Sequence, residues 1–180
     1  MVYILLGNGF EEIETLAPCD ILRRAEAEVT LVSVSGQPVM GAHGIAVGAD
    51  CMVEDVRLAK EDTVVLPGGW GGVKSVEGNE TAMRLLAEAW ELGCTVAAIC
   101  AGPTALAKLH ITDGKKATCY PGLEDLMGDA CMQKGEAVVR DGRLITGEAP
   151  GAAIAFGLAL LEHIKGSEAA HAVADGMVLR

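Results

Sequence analysis

Cys100 is the residue best placed to do chemistry. Val96-Ala97-Ala98-Ile99 is a run of small and β-branched residues that stops at this cysteine, and Ala101-Gly102-Pro103 leads into a helix-forming stretch from Thr104 to Leu109. The pattern predicts a buried strand that turns sharply into a helix with the thiol at the corner. Pro103 suits the first turn of that helix, where its missing N–H costs nothing. Gly102 lets the helix pack closely on the sheet. A tight strand-to-helix turn pushes a nucleophile out at the carboxyl edge of a sheet. Backbone N–H groups and the positive end of the helix then favour thiolate over thiol. The alternative is a small apolar cysteine that fills space behind a strand.

Glu14 is the second candidate. On helical geometry it lines up with Phe10, Ala17, Pro18 and Ile21, an otherwise apolar face, while the other early glutamates can face solvent. A carboxyl group on a core-facing stripe has a raised pKa, and when protonated it donates a hydrogen bond. At the start of the first helix it would lie above the carboxyl edge of the sheet, where the cysteine corner also points. Thiolate and carboxylic acid would then act as nucleophile and proton shuttle. The alternative is a glutamate at a helix edge reaching water. A third feature, Pro67-Gly68-Gly69-Trp70-Gly71-Gly72, ends a buried strand. Gly69 in this loop either aims a bare N–H at the sulfur or at a developing oxyanion, or belongs to a plain flexible turn.

Other site classes fit poorly. Gly7-Asn8-Gly9-Phe10-Glu11-Glu12 starts like a dinucleotide fingerprint, but Glu12 replaces the third glycine and no acidic residue ends the second strand. The second glycine loop lacks the Gly-Lys-Ser/Thr of a P-loop. No Cys-x-x-Cys pair occurs among the six cysteines, and His43, His110, His163 and His171 show no metal-ligand spacing. Neither a cofactor nor a metal is expected. The chain carries a net charge of −11, which argues against nucleic acid and anionic membrane surfaces. It has no apolar run approaching the ~20 residues of a membrane span and no basic region at its amino terminus. Reduced thiols in the cytoplasm are expected.

These residues must be positioned by one domain, residues 1–180, long enough to bury about 70% of its unfolded surface. Hydrophobic residues make up 51% of the chain and aromatics only 3%, so the core is aliphatic and finely packed. Val2 to Leu6, Val29 to Ser35, Thr63 to Leu66 and Val96 to Ile99 read as strands. Helices are expected over Glu11–Ala27, Asn79–Gly93, Thr104–Leu109, Ala152–Ile164 and Glu168–Ala174, with Pro18 kinking or tightening the first of them. Val39–Met40 and Ile45–Val47 form a hairpin around Gly41-Ala42-His43-Gly44. A second hairpin turns at Asp141-Gly142. Val53 to Leu58 is short and mixed, Lys115 to Cys119 reads as a further strand and Pro121 to Met127 as a short helix. The alternation implies an α/β fold with a mostly parallel sheet and helices on both faces.

Five segments in order carry a resemblance: Gly9 to Thr15, Asp20 to Ala25, Val64 to Gly69, Ala98 to Pro103, and Ala149-Pro150-Gly151. Together they resemble the ThiJ/PfpI superfamily, in its DJ-one-like deglycase branch, nearly from end to end. The resemblance implies a flavodoxin-like sandwich, a homodimer and a reactive, oxidation-sensitive cysteine at a strained elbow. Cys100 matches that cysteine, Glu14 the buried glutamate bonded to its sulfur, and Gly69 and Ala101 the backbone donors of the oxyanion site. The implied activities are those of a glyoxalase III or deglycase acting on methylglyoxal or its early adducts, with redox sensing and chaperone roles as the alternative.

The chain also departs from that pattern. Tyr120 stands where the branch's best-known member has a histidine near the cysteine, which leaves proton transfer to Glu14. His43 stands where that relative has an arginine at the dimer interface, while Arg24 keeps its matching partner position. Ala101 follows the cysteine where peptidases and hydrolases of the family carry histidine, so peptidase activity is not expected. Cys119 would be a resolving thiol if its strand lies beside Cys100, and otherwise a packing residue. Trp70 either roofs the pocket or forms an ordinary hydrophobic patch.

Overall fold

The computed structural model describes residues 1–179. In chain order the strands are β1 (Val2–Leu6), β2 (Val29–Ser33), β3 (Val39–Met40), β4 (Ala46–Val47), β5 (Cys51–Met52), β6 (Thr63–Leu66), β7 (Thr95–Ile99), β8 (Lys116–Ala117), β9 (Cys131–Met132), β10 (Val138–Asp141) and β11 (Leu144–Gly147). The helices are α1 (Glu12–Arg24), α2 (Trp70–Glu77), α3 (Glu80–Leu92), α4 (Gly102–Lys108), α5 (Ala153–Lys165) and α6 (Ser167–Gly176).

Seven strands form the central sheet in the order β10-β11-β7-β6-β1-β2-β5. Every pairing in it is parallel except β10 with β11, the hairpin closed by Asp141-Gly142. The run β2-β1-β6-β7-β11 is the flavodoxin-like strand order, whose ligands bind at the carboxyl ends of the strands. All five residues of β1 and of β7 are buried, as expected of strands covered on both faces. Helices α1, α5 and α6 pack together as one layer, and α2, α3 and α4 as the other. Gly157 sets the spacing in the first layer: a Cβ there would lie 2.8 Å from Ile21 Cδ1 and 3.0 Å from Pro18 Cα. Among the described residues no helix is long and apolar enough to cross a membrane.

Local signals account for most boundaries. Asn79 caps α3 by accepting the Ala82 N–H at 2.9 Å, a bond that contributes about 1 kcal/mol. Gly93 ends the same helix in the left-handed region at φ 87°. Helix α1 stops at Arg24, three residues short of the expected end, as the chain leaves through Glu26 at φ 55°.

Other expectations are corrected. The loop after β6 does not extend to Gly72: α2 begins at Trp70. Gly71 and Gly72 oppose helix by propensity, but close tertiary packing prevails. A Cβ at Gly72 would lie 2.6 Å from Phe10 Cα, so glycine lets this turn sit against the start of α1. The strand expected over Lys115–Cys119 shrinks to Lys116–Ala117, and the helix at Pro121–Met127 to one 3-10 turn, Glu124–Leu126. Val53–Asp55 is likewise a single 3-10 turn, preceded by the edge strand β5.

Candidate active site

Strand β7 delivers Cys100 to the carboxyl edge of the sheet, and α4 leaves from the next residues. Cys100 has φ 63°, in the left-handed region. For a residue with a side chain this costs roughly 1–2 kcal/mol. Two backbone bonds hold it there: its N–H donates to Gly147 O at 3.0 Å, and its carbonyl accepts the Tyr120 N–H at 2.9 Å. Pro103 stands in the first turn of α4, and a Cβ on Gly102 would lie 2.6 Å from Leu66 O. The close approach expected of that glycine is therefore present.

Glu14 comes from the first turn of α1 and is fully buried. Its Oε2 accepts the Gly68 N–H at 2.7 Å. Its Oε1 is buried without a partner of regular hydrogen-bonding geometry, and the carboxyl's remaining polar neighbour is the Cys100 thiol. Gly68 is the spacer between the two. A Cβ there would sit 2.5 Å from Glu14 Oε2, 2.6 Å from Cys100 Cβ and 3.0 Å from Cys100 Sγ. Gly69 follows at φ 80°, and a Cβ on it would lie 2.6 Å from Glu11 N. The backbone N–H groups of Gly69 and Ala101 both stabilise the ionised sulfur.

Burial dominates the electrostatics. It pushes the Glu14 carboxyl up to about 7, against the pull of the Cys100 thiol and the Gly68 amide, while Glu11 adds a smaller push upward. Burial also raises the Cys100 thiol, to about 12, with the charge of Glu14 and its hydrogen bond adding to the rise. The two amides oppose this and do not overcome it. This corrects the expectation that the elbow alone favours the thiolate: α4 has only seven residues, and desolvation exceeds what two amides return. Protonation of Glu14 changes the balance. The repelling charge disappears, and an orphaned acceptor becomes a donor able to face the sulfur.

The early glutamates also differ from expectation. Glu11 and Glu12 do not face solvent; they are 7% and 4% exposed. The β3–β4 hairpin lies over them. Glu12 Oε1 accepts the His43 N–H at 2.7 Å and Glu12 Oε2 meets His43 Nδ1 at 2.8 Å. Glu11 is the N-cap of α1, its Oε2 accepting the Glu14 N–H at 2.8 Å. This bond fixes the turn that carries Glu14.

The remaining candidates are spread more widely. Tyr120 is tied to the elbow through its backbone and is 46% exposed. Cys119 is buried, packs with Ala117 and Met127 and lies 3.5 Å from Tyr120 O; burial pushes its thiol up to about 11. Trp70 is half exposed at the start of α2, with Lys74 Nζ 4.6 Å from its ring centroid. Arg24 pairs with Asp20 at 2.7 Å near the far end of α1, about 15 Å along the helix from Glu14. It is not brought to Cys100, and among the described residues it makes no hydrogen bond or ion pair with His43. Sequence reasoning missed Gly68 as a site residue. Its signal was the glycine pair after Pro67, which was read for Gly69 alone.

Cys100 retains 9% exposure, so access to the sulfur is narrow. Glu11, Glu12, Ile13, His43, Ile45 and Pro150 line a separate apolar recess, which Cys100 does not line. A buried thiol, a protonatable acid and two aimed amides can perform addition to a small carbonyl followed by proton transfer.

The DJ-1/PfpI family model matches residues 1–163. Protein dj-1beta of Drosophila melanogaster is 35% identical over 178 residues, covering 98% of this chain and 95% of that protein. Its crystal structure superposes with a TM-score of 0.94, covering 99% of this chain and 97% of that one. A protein named a deglycase from Pyrococcus abyssi is 34% identical over 151 residues, covering 83% of this chain and 90% of its own length. The structure of an oxidized DJ-1 from Toxoplasma gondii is similar with a TM-score of 0.92 at 29% identity, covering 98% of this chain and 97% of that one.

Proposed function

The chain belongs to the DJ-1/PfpI family, and from that premise we propose that it is a cysteine-dependent, cofactor-free glyoxalase III or deglycase. Its substrates are methylglyoxal-type dicarbonyls or their early adducts. The observation that carries the reading is the contact of Glu14 with Cys100 across Gly68, where nothing larger than glycine fits. The deglycase name of the Pyrococcus abyssi relative supports the same class of chemistry.

In this reading the Cys100 sulfur adds to the aldehyde carbon of methylglyoxal as its proton passes to Glu14. The product is a hemithioacetal whose developing oxyanion is held by the Gly69 and Ala101 N–H groups. Glu14 returns that proton to the oxyanion and is again a carboxylate; it then takes the proton from the former aldehyde carbon, giving an enediol, and returns it to the adjacent carbon. A thioester of lactate results. Water cleaves it, releasing lactate and restoring the thiol. The deglycase version enters at the adduct, a hemithioacetal or aminocarbinol already formed on a protein or nucleotide, and frees that group. Tyr120 replaces the relative's histidine and has no proton-transfer role here. Exposed Ile13, Leu16 and Ile45 (56%, 38% and 52%) fit the homodimer that the resemblance implies.

The experiment is a kinetic comparison of methylglyoxal loss by the wild type and Cys100→Ser, with the product identified by stereochemistry. One lactate enantiomer from the wild type and none from the variant supports the reading. Equal rates reject it.

A second reading is a redox sensor, favoured by the oxidized Toxoplasma gondii structure. Peroxide would convert Cys100 to a sulfinate bonded by the Glu14 proton. Intact-mass measurement after mild peroxide distinguishes the two: selective two-oxygen addition at Cys100 in a protein with no turnover favours the sensor.

A further inference from the structure

A polar cavity of about 390 Å³ opens at the amino edge of the sheet, opposite the edge that carries Cys100. Its lining includes Lys60 from the loop before β6, Thr63 at the start of β6, Thr95 at the start of β7, Arg143 from the turn before β11 and His163 in the last turn of α5. Strand β7 separates Thr95 from Cys100 by about 16 Å, so this cavity is distinct from the candidate active site. None of its lining residues belongs to α1 or to the β3–β4 hairpin. Its volume is that of a small-molecule site.

We propose that this cavity binds a phosphate dianion, free or as the head group of a small phosphomonoester. Arg143 and Lys60 supply the charge; the Thr63 and Thr95 hydroxyls and His163 supply the remaining hydrogen bonds.

Arg143 carries the argument furthest. Its guanidinium stacks on Trp90, 3.4 Å from the ring centroid, and Nη1 donates to Cys94 O at 2.8 Å. These two contacts fix the plane of the fork, and no carboxylate pairs with it among the described residues. Burial pushes its pKa down, with no neighbouring carboxylate to offset the push. An arginine held this way is preorganised for bidentate contact with an oxyanion.

The other lining groups also have bonding capacity to spare. Thr63 is 3% exposed, and its hydroxyl makes no hydrogen bond among the described residues. Buried hydroxyls are normally partnered, and the space that Thr63 lines is this cavity. The Thr95 hydroxyl meets His163 Nε2 at 2.8 Å. Burial and the charge of Arg140 hold that imidazole below its ordinary range, so it is uncharged at neutral pH. Its second nitrogen remains available for a further bond. Lys60 lies along Gly93, where a Cβ would sit 3.6 Å from Lys60 Cε, and its ammonium has no partner among the described residues.

Nearby groups leave these cations unspent. In the last turn of α3, Trp90 O accepts the Gly93 N–H at 3.2 Å and Ala89 O the Cys94 N–H at 2.9 Å. In α5, Glu162 O accepts the Gly166 N–H at 2.9 Å. Glu61 is the one carboxylate in the lining; it is exposed and forms no ion pair among the described residues. Asp62 is taken by the Met1 amino group and the Ala59 N–H. A chain of net charge −11 thus keeps a local excess of positive charge here. Contacts from the sheet, the helix layer and a loop suit a tetrahedral anion better than a planar carboxylate.

Calorimetric titration of the protein in phosphate-free buffer tests this, with inorganic phosphate in one arm and glycerol 2-phosphate in the other. One equivalent per chain is expected in at least one arm. Tighter binding of the ester assigns the cavity to a head group, and tighter binding of inorganic phosphate assigns it to the free ion. Lys60→Glu should weaken binding by about tenfold or more with an unchanged melting temperature. Thr63→Val removes an unpartnered hydroxyl at constant shape, so it should weaken binding without lowering the melting temperature. Cys100→Ser should bind as the wild type does. The proposal is overturned if neither probe saturates, if Lys60→Glu and Thr63→Val both bind like the wild type, if acetate binds as tightly as phosphate, or if Cys100→Ser abolishes binding. No outcome depends on turnover, so this site stands or falls separately from the dicarbonyl activity.

Discussion

Glu14 accepts a 2.7 Å hydrogen bond from the Gly68 amide, and the missing side chain of Gly68 is what lets the same carboxyl reach Cys100. Acid, glycine and thiol come from α1, the loop after β6 and the end of β7, three segments that meet only at the carboxyl edge of the sheet. Gly68→Ala inserts a methyl group between them without demanding a left-handed backbone. Methylglyoxal turnover should fall by about 100-fold and stability by about 1–3 kcal/mol. Steady-state kinetics together with a urea melt checks both; wild-type turnover in this variant would show that the acid and thiol need not touch.

The raised Glu14 carboxyl gives stability a definite pH slope. In the unfolded chain it ionises near 4.5, and in the fold near 7. The folded state therefore binds the extra proton between those values, and the contribution, complete below the unfolded pKa, is lost as pH rises through 7. The effect is at most about 3 kcal/mol. Melting temperature should decline from pH 5 to pH 8, and Glu14→Gln should flatten that decline and be the more stable protein at the alkaline end.

Thiol reactivity should separate from turnover. The charge of Glu14 raises the Cys100 thiol, so an ionised Glu14 suppresses the thiolate at high pH. Glu14→Gln removes that charge. Its Cys100 should react with iodoacetamide about tenfold faster than the wild type at pH 9, although the same variant loses its proton relay. Peptide mapping after timed alkylation measures it, and a slower reaction in the variant would reverse the assigned sign.

The course of α1 and β7 was open to reading because short-range patterns carry it: a continuous apolar run for each strand and helical spacing that aligns Glu14 with Phe10, Pro18 and Ile21. Asn79 and Gly93 likewise mark the ends of α3 locally. What stayed hidden depends on contacts between distant segments. Glu11 and Glu12 are buried by a hairpin some 30 residues away, and nothing in the spacing of their own helix distinguishes them from solvent-facing charges. Helix α2 was concealed by Gly71 and Gly72, which oppose helix unless one knows that Phe10 packs against them. The protonation of Cys100 is hidden for the same reason. Elbow amides are visible in a local pattern, whereas the desolvation that outweighs them belongs to the assembled core.

The central claim is that Glu14 moves the proton in a reaction begun by the Cys100 sulfur. The rate of lactate formation from methylglyoxal by Glu14→Gln tests it most directly, in protein shown by its melting curve to be folded and by alkylation to keep a reactive Cys100. The account predicts a fall of at least 100-fold, the scale of a lost general acid–base group. Lactate formed at the wild-type rate would contradict it.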